Sequence, residues 1–379
     1  MVKSEFYNIY GSGFDSLCIG SERNPQVHSR MRKCLTAAFS TKAIMEQESI
    51  VQSCIDQFID KLRADGTQEK GLNMTKWFEM LAFDILGKPH HWSEMITSHL
   101  FFITLIDNLR RYPIFYYIGA FLLPKLTFSV RDQHSQFSRD KVDRRLASQS
   151  SRKDFLTHLV GKVESGEIGK EELTAHSSTL IIAGGETVAT FLSATTYHLL
   201  KNPSVYAELC QEIRSRFDCL SDINATAAQQ LQYLQAVISE GLRIYPPGSQ
   251  GFPRLSPGTV IGGAYIPPGT EVYTSAWTVT HDSRYFHDPY VFKPSRWIDP
   301  ACIDVKEASQ PFSLGPRGCL GRNFAYVEMC TILAKLLYAF DLELLDSALD
   351  WEKQSSIHVM WWKPSLPVRF RPRGNDSTK

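Results

Sequence analysis

Phe312-Ser313-Leu314-Gly315-Pro316-Arg317-Gly318-Cys319-Leu320-Gly321 is the stretch on which the reading of this chain turns. It sets one cysteine in a loop dense with glycine, directly ahead of a long apolar segment of helical period. That arrangement predicts a thiolate ligand at the start of a helix. The first amides of a helix lack partners within it, so they donate to anions, and the helix dipole favours negative charge there. The glycines let backbone and a flat ligand approach closely. Arg317 stands two residues before the cysteine, placed to meet a carboxylate of such a ligand. An ordinary buried cysteine is the usual fate of a lone one and stays open as an alternative. A phosphate loop fits poorly, because this stretch has neither G-x-G-x-x-G nor G-x-x-x-x-G-K-[ST].

Composition sets the outer bounds. The chain has 379 residues, 43% hydrophobic and 21% charged, which suits a globular protein with a sizeable core. Its net charge of +1 implies no pull on nucleic acid. None of the eight cysteines forms a C-x-x-C pair, so neither a zinc site nor a disulfide framework is suggested, and a reducing compartment fits. No apolar run reaches the ~18 residues that a spanning helix needs. The longest, Pro113 to Pro124, is bounded by Arg110, Arg111 and Lys125. It suits peripheral contact with a membrane interface or a place in the core.

Taken in order, residues 1–24 read as irregular. His28 and Arg32 then share a helical face at i and i+4. Residues 46–64 and 76–86 read as amphipathic helices. Gly87-Lys88-Pro89-His90-His91-Trp92 breaks the pattern. Adjacent His90 and His91 invite a metal reading, but neighbours point to different sides of any helix or strand. Residues 93–128 read as helical and aromatic-rich, and 148–153 as a polar linker. Residues 170–200 form a long helix carrying Ala183-Gly184-Gly185-Glu186-Thr187. Paired glycines weaken a helix by about 1 kcal/mol each relative to alanine and allow a kink or a close approach. Asn202-Pro203 suits a cap and first-turn proline. Residues 227–245 form a helix with Glu240 and Arg243 at i and i+3, and Phe292-Lys293-Pro294-Ser295-Arg296-Trp297 lies downstream. Residues 251–280 have strand-and-turn character. Residues 322–340 return to helix, His358 to Phe370 reads as one or two strands, and 371–379 as a polar tail.

Together these motifs resemble the cytochrome P-450 family. Phe-x-x-Gly-x-Arg-x-Cys-x-Gly is similar to its haem-binding loop, with five fixed positions in ten. The resemblance implies Cys319 as axial thiolate of haem b, with Phe312, Arg317 and Gly321 around the cofactor. Ala183 to Thr187 is similar to the family's oxygen-binding helix, which implies catalytic roles for Glu186 and Thr187 in bringing protons to dioxygen. Glu240, Arg243 and Arg296 are similar to its Glu-x-x-Arg network. His28 and Arg32 look like the propionate-binding helix, although other members often have Trp where His28 stands. Arg254 matches a further propionate partner. The implied fold is mainly α with a small β region, a single domain over residues 1–370 followed by the tail.

The implied activity is monooxygenation of a small, largely apolar organic molecule with dioxygen, of the kind found in fungal secondary metabolism. NADPH would supply electrons through cytochrome P-450 reductase at the cytosolic face of the endoplasmic reticulum. Two alternatives stay open. One is a haem-thiolate isomerase or dehydratase that does not use oxygen. The other is an inactive remnant, since the family's membrane anchor, first helix and first strands are expected upstream of residue 1, and a further segment is expected near Leu86-Gly87-Lys88.

Overall fold

A computed structural model describes residues 1–10, 13–87, 103–109, 112, 132–147 and 155–374. The His90-His91 pair, the apolar run Pro113 to Pro124, the linker 148–153 and residues 375–379 lie outside the described residues, as does most of 93–128.

The fold is mainly helical with small sheets, as the sequence implies. Its principal described helices are α1 (Pro25–Thr36), α2 (Thr41–Asp65), α3 (Met74–Ile85), α4 (Lys170–Lys201), α5 (Pro203–Arg216), α6 (Gln232–Ile244) and α7 (Arg322–Ala339). The chain clusters into two compact units.

The first unit comprises Met1–Glu46, His91–Ala183 and Gln250–Thr274. The stretch 1–24 is not irregular throughout. Val2–Lys3 forms strand β1, and Phe6–Tyr10 a short helix. The buried Lys3 ammonium donates to the carbonyls of Ile19 and Gly20 at 2.8 and 2.5 Å, a tertiary anchor with no local periodicity to announce it. In the same unit β1 pairs antiparallel with β3 (Arg254–Leu255), which pairs with β6 (Glu271–Val272). Between them, β4 (Thr259–Ile261) and β5 (Ala264–Ile266) make a hairpin. Asn24 opens α1 by accepting from the amides of Gln26 and Val27, with Pro25 in the first turn.

The second unit comprises Gln47–His90, Gly184–Ser249 and Ser275–Lys379. Helix α7 is buried on every side from Val327 to Ala339, which explains its all-round apolar sequence. Its one lysine, Lys335, reaches Asp56 at 2.5 Å. Strand β10 (Pro367–Pro372) pairs with β7 (Phe340–Leu344) on one side and β2 (Leu72–Asn73) on the other, while β8 (Ser356–His358) and β9 (Met360–Trp362) form a hairpin. The expected helix over 227–245 is split. Asn224 caps a short turn at Ala225–Ala228, and α6 begins afresh at Gln232. Asn202 does not cap α5 with its side chain; its amide nitrogen donates back to His198 O at 2.7 Å.

Candidate active site

The cysteine loop takes its shape from its own backbone. Cys319 N–H donates to Phe312 O at 2.7 Å, and Gly318 N–H to Gly315 O at 2.9 Å. Gly315 has φ +68°, in the left-handed region that glycine enters without strain, and a short 3-10 turn runs from it to Arg317. A side chain at Gly318 would sit 3.2 Å from Gly315 O, so the turn is closed tightly beside the cysteine. Gly321 then caps α7. The rings of Phe312 and Tyr326 lie 5.6 Å apart, and the Arg322 guanidinium stands about 6 Å from each.

Cys319 is exposed at this junction. Among the other cysteines only Cys219 is exposed as well, and its sulfur is 2.9 Å from the Ser221 hydroxyl. Cys330, eleven residues further on within α7, is buried, and burial pushes its thiol up to about 12. Burial therefore disfavours a thiolate at Cys330.

The Glu-x-x-Arg pair and the downstream arginine come together. Glu240 and Arg243 are 0% exposed and Arg296 is 2% exposed. One Glu240 oxygen accepts from Arg243 Nη2 at 2.9 Å, Arg296 Nε at 3.1 Å and the Lys293 amide at 2.8 Å. The other accepts from Arg243 Nε and Trp297 Nε1, each at 2.9 Å. Arg243 also donates to the carbonyls of Thr280 and Pro289, and Arg296 binds Asp304. Against the upward push of burial, the His287 amide and Arg296 hold the Asp304 carboxyl below its ordinary value. A buried ion pair needs such further partners. The sequence reading missed Asp304, which carries no spacing signal. Trp297 stood in the quoted motif without a role.

Gly184 and Gly185 lie within helix α4. They allow close approach. A side chain at Gly185 would overlap the Phe83 ring of α3, and one at Gly184 would reach Leu86 Cδ1 at 3.0 Å. Glu186 is buried, and its carboxylate accepts from the Lys363 ammonium and from Thr190 Oγ1 at 3.3 Å. Thr187, the next residue, is half-buried and sits about 100° round the helix. Lys363 was missed. Its signal was a single charge inside Met360-Trp361-Trp362-Lys363-Pro364.

The expected propionate partners lie on described elements of the first unit. His28 is buried and Arg32 half-buried on α1. Arg254 on β3 donates to the Tyr7 hydroxyl and to the carbonyls of Phe252 and Pro253 at 3.1 and 3.0 Å. Its guanidinium also lies 5.4 Å from the Tyr7 ring centroid. Arg317, beside the cysteine, is half-buried in the second unit.

Comparison with known proteins identifies the family. The family described as cytochrome P-450 matches residues 21–368. A cytochrome P-450 monooxygenase of Penicillium roqueforti (strain FM164), designated ORF9, is 61% identical over 97% of this chain and 75% of its own length. The monooxygenase BOT4 of Botryotinia fuckeliana is 49% identical over 97% of this chain and 73% of its own. The monooxygenase lcsI of Purpureocillium lilacinum is 38% identical over 93% and 72%. The chain belongs to the cytochrome P-450 family. Its enzymatic class is that of its relatives, a haem-dependent monooxygenase. In this family the haem iron is held by a cysteine thiolate, and a redox partner, an organic substrate and dioxygen take part. The donor chemistry here fits that group: an exposed soft sulfur, a tight glycine turn and a neighbouring aromatic ring. Among the described residues no helix is long and apolar enough to cross a membrane, and no cluster of His, Cys, Asp and Glu is arranged to hold a metal ion.

Proposed function

We propose that Cys319 would supply the thiolate that holds haem b in an enzyme that oxygenates a small, largely apolar organic substrate of fungal secondary metabolism. Bound there, the haem supplies the oxidising chemistry, by which one atom of dioxygen enters the substrate and the other leaves as water. The observation that carries this reading is the exposed Cys319 at the mouth of the buried helix α7, its amide locked onto Phe312 O at 2.7 Å.

The chain's own residues have separate tasks. Arg32, Arg254, Arg317 and His28 meet the propionates. Phe312 and Gly321 shape the loop around the sulfur. Thr187 donates a hydrogen bond in the oxygen-binding groove, and Glu186 holds or releases a proton behind it. Glu240, Arg243 and Arg296 fix the scaffold that presents the cysteine loop. Electrons come from NADPH through cytochrome P-450 reductase at the cytosolic face of the endoplasmic reticulum.

The test is a reduced carbon monoxide difference spectrum on purified protein, paired with turnover under isotopically labelled dioxygen. A long-wavelength band that Cys319→Ala removes, with label in the product, is the expected result. A product formed without label points to isomerisation or dehydration instead. A chain that retains no haem overturns the reading altogether.

A further inference from the structure

The acid of α4 is enclosed in a way that its motif does not announce. Three separate elements converge on it. Lys363 follows β9 directly, and the segment it opens is sewn to the start of α3. Thr75 Oγ1 donates to Pro364 O at 2.7 Å, Met74 N–H to Leu366 O at 2.7 Å, and Leu366 N–H to Asn73 Oδ1 at 3.0 Å. The strand before it is fixed as well. Trp361 Nε1 donates to Pro246 O at 2.9 Å, and its ring stacks on Tyr245 at 4.2 Å. Lys363 has therefore little freedom in where its side chain points.

That side chain is 3% exposed. Its ammonium contacts Glu186, the Thr190 hydroxyl at 3.3 Å and Glu79 Oε1 at 3.2 Å. Glu79 stands on α3 one turn before Phe83, the residue that fills the space left by Gly185. The glycine pair and the charge cluster are thus two parts of one contact, in which close approach of α3 brings a second carboxylate to the same lysine.

We propose that Lys363 is the positioning residue for Glu186, a buried ammonium that fixes where this carboxyl points and which protonation form it takes, with Glu79 as its competing acceptor. The proposal rests on the reading of α4 as the oxygen-binding helix. One ammonium and two carboxyls cannot all be satisfied as ions in a buried site, because the cluster would then carry a net negative charge. Burial pushes the Glu186 carboxyl up, Lys363 pulls it down, and Glu79 pushes it up again. Despite its own burial, Lys363 is held above its ordinary value by Glu186 and Glu79, so it stays charged. Among the described residues, Tyr245 also senses Glu186. Burial keeps its hydroxyl neutral, and it donates to Ser355 Oγ at 2.8 Å. The protonation of Glu186 is thereby governed by burial against charges on α3 and beyond β9.

The experiment uses the full haem-loaded chain with Lys363→Met, Lys363→Arg and Glu79→Gln, followed by thermal unfolding and by product formed per NADPH, each as a function of pH. Removing the ammonium raises the Glu186 carboxyl further in the folded state. Stability is then lost as pH rises above the ordinary carboxylate range, so the Tm deficit of Lys363→Met should widen by several degrees from pH 5 to pH 8. The pH at which coupling changes should move up in Lys363→Met and down in Glu79→Gln, where a repelling carboxylate is gone. Lys363→Arg should restore both profiles while the carbon monoxide spectrum stays the same in all variants. A Tm deficit equal at every pH, or coupling profiles that do not move in opposite directions, would show a merely structural lysine and overturn the proposal. If Lys363→Met does not fold, the Glu79→Gln shift alone decides. A parent protein without the thiolate spectrum sinks the proposed function instead, and the pH dependence of Tm still reports on Lys363.

Discussion

Glu240 and Arg243 form a two-pronged pair, each carboxylate oxygen taking one guanidinium N–H at 2.9 Å, with both side chains 0% exposed. Because Arg296 and the Trp297 indole converge on the same carboxylate, Glu240 is shared by two buried cations, with Asp304 a second acid on Arg296. Glu240→Ala leaves both guanidinium groups buried with Asp304 as the remaining acid contact, and it should cost about 3–5 kcal/mol. Denaturant unfolding measures this directly, and a loss under about 1 kcal/mol would contradict the account.

Much of this network was legible in the sequence, and the reason is geometric. Glu240 and Arg243 stand three apart on a helix whose apolar neighbours announce burial, so the pairing follows from the helical repeat. The contributions of the Lys293 amide and Asp304 do not, because backbone donors and loop paths are set by tertiary folding. The same division holds at α4. The glycine pair signals a close approach in the sequence, but nothing local says that Phe83 fills it. Lys363 meets Glu186 across 177 residues of chain, a distance over which periodicity says nothing.

Gly185→Ala tests that packing. The added methyl group would overlap the Phe83 ring, and overpacking of a tight core contact typically costs about 1–3 kcal/mol. Gly184→Ala should be milder, since Leu86 Cδ1 lies 3.0 Å from the new carbon and is the end of a flexible side chain. Thermal unfolding of the two variants should rank them in that order. The reverse order would mean that Gly185 is not the contact that sets the approach of α3.

Cys319→Ala should separate folding from ligation. The side chain is exposed, and the loop is held by the backbone bonds of Cys319 and Gly318, which alanine retains. The cofactor-free form should therefore unfold within about 0.5 kcal/mol of the parent, as surface changes usually do, while the thiolate spectrum and turnover vanish. Cys330→Ser serves as the control. It should keep the spectrum, and if it loses the band while Cys319→Ala retains it, the ligand has been misassigned.

Thr187→Ala should act on coupling and leave binding alone. Thr187 is half-buried within α4, so removing its hydroxyl leaves the helix intact. Haem content and the carbon monoxide spectrum should match the parent. Less product should form per NADPH consumed, with more peroxide. Unchanged coupling would leave the glycine pair as packing alone, with no chemical role for its neighbour.

Acid and base should destabilise the fold through different residues. Burial lowers His198 to about 3 and His281 to about 4, so both are neutral in the folded state. The unfolded chain protonates them more readily, so their stability is present above pH ~6.5 and is lost as pH falls below it. Glu328 works in the other direction. It is buried in α7, neither of its carboxyl oxygens has a hydrogen-bond partner among the described residues, and burial holds it well above its ordinary value. A carboxyl raised in this way contributes most below pH ~4.3, and the fold loses stability as pH rises past that point, because only the unfolded chain ionises freely. Glu328→Gln should therefore flatten the alkaline side of the stability profile without touching the acid side. Glu328→Met, which removes the buried polar group, should raise Tm at pH 7.5, by a stabilisation of about 1–3 kcal/mol. If the parent shows no alkaline decline between pH 5 and pH 8, or if Glu328→Met is less stable there, the carboxyl has a partner that the described residues do not include.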